Sequence, residues 1–358
     1  MIPIRVPLVT ALATAVLTTG TVGCAAPAAP VSGSGAPAPA SGAPASAATP
    51  AASGGTPTAG ANGAPASAGT STPPRPASAT APRVPAGTTA AYMVVDRVTG
   101  KATLSRNAHA RFRSASVVKI LIALDYLESR EAGAEIPSGD RALLARMLRS
   151  SDDDAATSFW GRGGQGKIIY RMARRAGLRD SGPPPAGKPG FWGYTALSVS
   201  DVVRTYRYLL DHARPANRAL ILGHLRAATE CASDGFDQYF GIPRAVPRPW
   251  AVKQGWSGYG TVPAVPCSGA AGASPPAGGA SGPASTPAPA RTPAPGTVRL
   301  TPPVDLSRPV LHTTGLAGKG DRLILAVLTL QPAGSSYRDS AARLTTLAKQ
   351  VYLAGRPG

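Results

Sequence analysis

Two stretches of this chain lack the residues that a folded core needs, and they restrict the fold to what remains. Residues 25–85 and roughly 262–302 are mostly Ala, Pro, Gly, Ser and Thr, most clearly so from Ser268 to Pro295 in the second stretch. Such sequences bury too little apolar surface to offset the entropy lost on ordering. We therefore expect an extended tether, followed by one folded domain over 86–358 that carries a solvated insertion.

The N-terminus has the features of an export signal. Arg5 precedes an apolar stretch from Val6 to Leu17, which is too short to span a membrane, and small residues lead to Gly23 and Cys24. Residues 1–24 are therefore interpreted as a signal peptide with a lipobox, after which Cys24 becomes lipid-modified. Ordinary cleavage nearby is the alternative. Either way we expect an exported, extracytoplasmic protein, and lipidation would anchor it at the outer face of the cell membrane.

The folded part is strongly basic, with 34 basic and 18 acidic residues and a net charge of +16. Most of its arginines are scattered, as on a solvated surface. For an exported protein such a charge favours anionic wall polymers or lipid headgroups as partners rather than nucleic acid. Cys231 and Cys267 can form a disulfide in an oxidising compartment, or remain two buried thiols. The histidines and cysteines lack metal-ligand spacing, so neither a metal nor another cofactor is expected.

Apolar patterns place strands at both ends of the folded part and helices between them. Two short runs form a predicted hairpin, and three more follow near the C-terminus: 91–96, 101–104, 251–254, 310–314 and 323–329. Helical spacing appears over 141–160, 167–176, 198–212 and 217–227, and in a closing amphipathic segment with Leu344, Leu347, Val351 and Leu353. The order predicts an α+β fold, in which an antiparallel sheet formed from N- and C-terminal strands packs with a helical region.

Ser116 and Lys119 open the strongly apolar segment Ile120–Leu124. On a helix, residues three apart share a face, which brings the lysine ammonium within reach of the serine hydroxyl. Burial lowers the pKa of a lysine, and a helix N-terminus favours negative charge at the serine. The chain has 30 arginines and only 7 lysines, so a lysine at position 119 favours chemistry that needs a removable proton. The pair predicts a nucleophilic serine with a lysine base.

Three motifs occur in the order Ser116-Val117-Val118-Lys119, Ser151-Asp152-Asp153 and Lys253-Gln254-Gly255. Together they resemble the S-x-x-K, S-D-N and K-T-G set of class A β-lactamases and penicillin-binding proteins. The resemblance covers nearly all of residues 89–358 apart from the insertion. It implies the fold of serine β-lactamases and DD-peptidases.

The resemblance also implies roles for individual residues. Ser116 would be the acylated nucleophile, Lys119 its base, and Ser151 the group that passes a proton to the leaving nitrogen. Lys253 would direct positive charge toward a substrate carboxylate. The backbone N–H groups of Ser116 and Trp256 would form the oxyanion hole.

Gly255 would let the substrate approach the strand closely, and Trp256 could form a wall of the site. The sequence departs from the motifs at two other substrate-binding positions. Asp153 replaces an asparagine that donates a hydrogen bond, and an ionised carboxylate cannot donate. Gln254 replaces a threonine or serine. The loop before Thr195 lacks the glutamate with which these β-lactamases activate water, and Asp180 is its nearest carboxylate.

These observations predict a β-lactamase-like serine hydrolase that forms an acyl-enzyme with β-lactams or peptidoglycan D-Ala-D-Ala-type amides and deacylates slowly. A D,D-peptidase-like enzyme is one alternative. The other is a non-catalytic wall-binding lipoprotein with a degenerate site, which Asp153 favours.

Overall fold

We describe the chain from a computed structural model, over residues 81–268 and 304–357. The predicted signal peptide with Cys24, most of the tether and most of the insertion lie outside the described residues. None of the helices in the described ranges is long and apolar enough to cross a membrane.

The fold is α+β, as predicted, and is built on one five-stranded antiparallel sheet. Its strands are β1 (Thr89–Asp96), β2 (Ala102–Arg106), β5 (Trp250–Ser257), β6 (Val310–Ala317) and β7 (Leu323–Leu330). They lie in the order β2-β1-β7-β6-β5, so the N-terminal hairpin pairs with the C-terminal strands. A separate ladder pairs β3 (Phe112–Arg113) with β4 (Ala196–Leu197). Strand β5 forms one edge of the large sheet.

Eight α-helices surround the sheet in the described residues: α1 (Lys119–Glu128), α2 (Ser138–Arg149), α3 (Asp153–Arg162), α4 (Lys167–Ala176), α5 (Val199–Arg207), α6 (Pro215–Arg226), α7 (Ile242–Ala245) and α8 (Tyr337–Gly355). Helix α5 continues into a π-helical turn, Tyr208–His212. Short 3-10 segments occur at Ala115–Val118, Trp192–Tyr194 and Lys319–Asp321.

The single helix predicted over 141–160 is in fact two helices. Ser151 has φ +58°, a left-handed conformation that cannot continue a right-handed helix. The Asp152 carboxylate then accepts a 2.7 Å hydrogen bond from the Ala155 N–H and caps α3. The break therefore turns Ser151 out of helical register, and it belongs to the site described below.

The sheet separates two apolar layers. On one face Val94, Leu325 and Val351 pack together with α7 and α8. On the other face the sheet packs with the remaining helices, whose most deeply buried member is α1. Along β5 the side chains alternate between these layers, as they must in a strand. This alternation decides which residues of β5 can face Ser116.

His312 of β6 links the sheet to the strand that precedes Ser116. Its ring is fully buried, Nδ1 accepts a hydrogen bond from the Thr329 N–H, and Nε2 lies 2.8 Å from the Arg113 carbonyl oxygen, to which it donates. Burial lowers the pKa of His312 from 6.5 to about 4, so the ring is neutral at pH 7.

Candidate active site

Ser116 lies in the 3-10 segment Ala115–Val118, directly before α1. The sequence predicted a helical position, and the turn is tighter than an α-helix. Ala115 has φ +44°, a left-handed conformation that a residue with a side chain adopts only under strain. Ser116 itself is 5% exposed and stands at the N-terminal end of α1, where the helix dipole favours negative charge.

Lys119 is fully buried, and its ammonium group is occupied by the second motif. Nζ donates to the Ser151 carbonyl oxygen at 2.5 Å and to Asp153 Oδ1 at 2.6 Å, with Ser151 Oγ at 3.4 Å. An ammonium has three donors, and these contacts account for all of them. Among the described residues, no hydrogen bond joins Lys119 to Ser116. The expected serine–lysine contact is therefore replaced by an ion pair with Asp153.

Ser151 receives a second buried lysine from the opposite side. Lys253 Nζ donates to Ser151 Oγ at 2.8 Å, so the hydroxyl lies between two amino groups. Burial lowers the pKa of Lys253 well below its ordinary value, and the positive charge of Lys119 lowers it further, against smaller opposing effects of Asp153 and Asp234. The three predicted motifs thus meet at one hydroxyl, although they are far apart in sequence.

Strand β5 turns only alternate residues toward this cluster. A Cβ atom at Gly255 would lie 3.1 Å from the Ser114 carbonyl oxygen and 3.2 Å from the Ser116 nitrogen. Lys253 and Gly255 therefore share the face that packs against the segment of Ser114 to Val117. Glycine is required here because the two backbones approach closely.

Gln254 and Trp256 face the other layer. The Gln254 amide donates to the Phe240 carbonyl oxygen, and its Oε1 atom is buried without a partner. The Trp256 ring packs near Phe236 and Phe240, at centroid distances of 6.1 and 6.2 Å. The structure therefore does not bring these two side chains to the Ser151 hydroxyl, in contrast to the expected substrate contacts. The Trp256 backbone N–H remains a predicted oxyanion donor.

The loop before Thr195 presents an indole ring to the site. Lys119 Nζ lies 4.6 Å from the centroid of Trp192, whose Nε1 donates to Thr157 Oγ1 at 3.1 Å. Such a contact stabilises a charged ammonium by about 0.5–2 kcal/mol. The sequence analysis gave Trp192 no role in the site. Its place three residues before Thr195 was the signal that could have indicated a site residue.

Asp180, the nearest carboxylate to that loop in sequence, has other partners. Its Oδ2 accepts from Ser198 Oγ at 2.7 Å and lies 2.9 Å from His109 Nδ1. These contacts occupy the carboxylate at the start of α5, where Ser198 is the capping residue. Within residues 81–268 and 304–357, no hydrogen bond or ion pair joins Asp180 to Ser116.

Asp234 is a site carboxylate that sequence reasoning missed. It accepts hydrogen bonds from the Phe236 N–H at 3.2 Å and from Trp256 Nε1 at 3.1 Å. Burial raises the pKa of the Asp234 carboxyl, and the negative charge of Asp153 also raises it, whereas these hydrogen bonds and Lys119 lower it. Asp234 follows no motif spacing, so only the folded chain identifies it.

The loop that holds Asp234 is fixed at two points. The Ser233 N–H and Oγ both donate to the Ser150 carbonyl oxygen, at 2.8 and 3.1 Å. Cys231 and Cys267 form a disulfide, which is the first of the two alternatives drawn from the sequence. Within the described ranges, no group of three His, Cys, Asp or Glu side chains could hold a metal ion.

The sheet order and the surrounding helices define a protein with the fold of serine β-lactamases. A β-lactamase from Burkholderia vietnamiensis aligns with a TM-score of 0.51 at 16% identity, covering 76% of this chain and 93% of that one. A class A β-lactamase from Mycobacterium abscessus gives a TM-score of 0.49 at 17% identity, over 75% and 94% of the two chains. PBP-A gives 0.48 at 14% identity, over 75% and 91%.

Among curated proteins, this chain is similar to the "Putative lipoprotein LppW" of Mycobacterium tuberculosis and of Mycobacterium bovis. The identity is 39% over 168 residues, which is 46% of this chain and 52% of each relative. The chain thus spans about half the length of the curated relatives it matches. No family model matches the sequence.

Proposed function

We propose that this protein is an exported serine hydrolase that forms an acyl-enzyme at Ser116 with β-lactams or peptidoglycan D-Ala-D-Ala-type amides, and releases it slowly. The observation that carries the proposal is the convergence on Ser151 Oγ of two buried lysines, Lys119 and Lys253, from segments remote in sequence. Burying two amino groups around one hydroxyl is costly for stability alone, whereas a proton-transfer site requires it.

The arrangement supports a defined proton path. Lys119 can pass a proton to Ser151 Oγ while the Ser151 hydroxyl proton moves to Lys253, whose lowered pKa favours the neutral amine. Lys119 then becomes a neutral amine and can accept the Ser116 proton as Ser116 Oγ attacks the carbonyl carbon. When the C–N bond breaks, the leaving nitrogen takes a proton back through Ser151.

One feature should slow acylation, and another should slow hydrolysis of the acyl-enzyme. Asp153 and the Ser151 carbonyl oxygen hold the Lys119 amino group at 2.6 and 2.5 Å, so it must leave these partners before it can act on Ser116. In the loop before Thr195, the group beside Lys119 is the Trp192 indole, which cannot activate water. Acylation should therefore proceed slowly, and hydrolysis of the acyl-enzyme more slowly still.

Intact mass spectrometry tests the proposal directly. Full-length protein in detergent is incubated with a penicillin, followed over time and compared with Ser116→Ala. A lasting adduct on Ser116 is the expected result. An adduct that disappears within minutes would refute slow deacylation, and one that also forms on Ser116→Ala would refute the nucleophile.

Asp153→Asn tests the role of the ion pair. Removing the carboxylate breaks the ion pair and releases the Lys119 amino group toward Ser116, so acylation should accelerate by roughly ten-fold, the effect of about 1.4 kcal/mol. Asp154→Asn is the matched control, because Asp154 is an exposed neighbour on the same helix and its loss changes the charge equally. If acylation accelerated equally in both variants, the cause would be the change in net charge and not the loss of the Lys119–Asp153 ion pair.

The Lys119–Asp153 ion pair also favours a second candidate, a non-catalytic lipoprotein that binds anionic wall polymers through its basic surface. Absence of any adduct in wild type and in Asp153→Asn would select this candidate. A D,D-peptidase-like activity would instead appear as release of D-alanine from a peptide ending in D-Ala-D-Ala.

We also propose lipid anchoring through Cys24 at the outer face of the cell membrane. The name of the relatives and the disulfide support it. Metabolic labelling with a fatty acid should label the wild type, whereas Cys24→Ser should remain unlabelled and leave the membrane fraction.

A further inference from the structure

The loop that follows α6, residues 229–238, packs against the end of α2 next to Ser151. The buried Gln238 side chain donates to the Arg149 carbonyl oxygen at 2.8 Å. The last carbonyl groups of a helix have no partner within the helix, so donors from elsewhere in the chain must satisfy those that are shielded from water. This hydrogen bond holds the loop against α2 and brings Ser233 to the next carbonyl group.

Ser233 holds the peptide group that joins Ser150 to Ser151. Its N–H and its Oγ both donate to the Ser150 carbonyl oxygen, at 2.8 and 3.1 Å. In the part of the chain that the structure describes, no other residue donates a hydrogen bond to this oxygen. Because a peptide group is planar, fixing its oxygen restricts the orientation of the whole group. That orientation, relative to the Ser151 side chain, is what the φ of +58° at Ser151 describes.

The peptide group on the other side of Ser151 is held as well. Its carbonyl oxygen accepts a hydrogen bond from Lys119 Nζ at 2.5 Å, and its N–H, which belongs to Asp152, donates to the Arg146 carbonyl oxygen at 3.2 Å. With both flanking groups fixed, the direction of the Ser151 side chain is fixed too. These backbone contacts therefore place Ser151 Oγ, to which Lys253 Nζ donates at 2.8 Å.

The conformation of Ser151 needs this support. A left-handed backbone is unfavourable for a residue with a side chain, and it persists where surrounding contacts hold it. The hydrogen bonds from Ser233 come from outside the three motifs, so they act independently of the two lysines. Proton transfer is sensitive to such placement, since a displacement of about 1 Å can cost on the order of 100-fold in rate.

We infer that Ser233 is a positioning residue for the proposed acyl transfer: it orients the peptide group before Ser151 and so keeps the Ser151 hydroxyl between the amino groups of Lys119 and Lys253. The inference rests on the proposed function and adds a residue that none of the three motifs contains. Ser233 acts through the Ser150 carbonyl group and not on the reacting atoms.

Acylation kinetics of Ser233 variants test the inference. Full-length protein in detergent is incubated with a penicillin at a series of concentrations, and intact mass spectrometry follows the Ser116 adduct. Ser233→Ala removes the hydroxyl donor and should lower the maximal rate of adduct formation about three- to ten-fold, the effect of one hydrogen bond. The half-saturating penicillin concentration should stay unchanged. Ser233→Thr keeps both donors and should acylate as fast as wild type.

Two controls separate placement of Ser151 from general stability. Ser105→Ala removes an exposed hydroxyl on β2 and should leave the maximal rate unaltered. Urea denaturation verifies that each variant is fully folded without urea, so a loss of stability alone leaves the rate unchanged. A wild-type maximal rate in Ser233→Ala would overturn the inference, and so would a Ser233→Thr variant as slow as Ser233→Ala.

Crystal structures distinguish failure of this inference from failure of the acyl-transfer proposal. If the wild type forms no adduct, the proposed chemistry is wrong, and the structures of wild type and Ser233→Ala then decide whether Ser233 places Ser151. A φ of Ser151 outside the left-handed region in the variant, or loss of the hydrogen bond from Lys253 to Ser151, supports the inference. Retention of both the φ of +58° and the 2.8 Å contact overturns it.

Discussion

Gly255 shows how one missing side chain shapes the site. A Cβ atom there would stand 3.1 Å from both the Ser114 carbonyl oxygen and Val117 Cγ2, and 3.2 Å from the Ser116 nitrogen. Gly255→Ala should therefore displace β5 from the nucleophile segment and lower the free energy of unfolding by roughly 1–3 kcal/mol. Urea denaturation measures the stability, and the rate of acylation by a penicillin should fall with it.

The control for this change is Gly139→Ala. Gly139 lies in α2, and its added Cβ would meet no atom within 4 Å. Replacing a helical glycine should stabilise the protein by up to about 1 kcal/mol and leave acylation unchanged. If Gly255→Ala acylated as fast as Gly139→Ala, close approach of the strand would not matter for the chemistry.

His312 makes the stability depend on pH. Its pKa is about 4 in the folded protein against 6.5 for the free side chain, so the unfolded chain binds the proton more readily. The stability contributed by the neutral ring is complete above pH 6.5 and is lost as the pH falls toward 4, on the order of 3 kcal/mol in total. Urea midpoints from pH 7 to 4 should fall more steeply for wild type than for His312→Gln. Parallel curves would contradict the assignment.

At the level of elements, the strands were predictable and the turn at Ser151 was not. Alternating and continuous apolar runs identified the hairpin and the C-terminal strands, because burial on a sheet leaves a periodic pattern in the sequence. No pattern in the sequence indicates the φ of +58° at Ser151. The contacts that accompany this conformation come from Lys119 and Lys253, which are distant from Ser151 in sequence.

The candidate site, like the fold, could be predicted only in part from the sequence. Motif order indicated which segments meet, and the alternation along β5 could have assigned Gln254 to the face opposite Lys253. The ion pair of Asp153 and the contact of Trp192 depend on side-chain directions that sequence spacing does not fix. The position of Asp234 could not be predicted without knowing the path of the loop between α6 and α7. In the folded chain this loop contacts residues 150 and 256.

A buried carboxylate of α1 forms an ion pair with a partly exposed arginine of α4. Asp125 accepts hydrogen bonds from Arg171 Nε at 2.8 Å and Nη2 at 2.6 Å, and its side chain is 4% exposed. Asp125→Ala leaves Arg171 without its carboxylate and should cost about 3 kcal/mol in unfolding free energy. Glu230→Ala, which breaks the exposed pair with Arg244, should cost less than about 1 kcal/mol. Similar losses of unfolding free energy in the two variants would show that the α1–α4 pair stabilises the fold no more than an exposed ion pair does.

For the folded chain as a whole, the disulfide ties the loop of Asp234 to the segment that follows β5. The half-cystines are 36 positions apart, and the Cys267 N–H donates to the Gly235 carbonyl oxygen at 2.9 Å. In the chain-entropy model, closing such a loop contributes roughly 3–4 kcal/mol by restricting the unfolded chain. The bond therefore stabilises the entire fold and, through Gly235, the loop that follows α6.

Reduction should accordingly lower the thermal midpoint by on the order of 10 °C. Thermal unfolding followed by circular dichroism should show this shift in wild type, whereas a Cys231→Ser, Cys267→Ser double variant should unfold at the lower temperature with or without reductant. A double variant as stable as wild type would show that the fold does not depend on this bond.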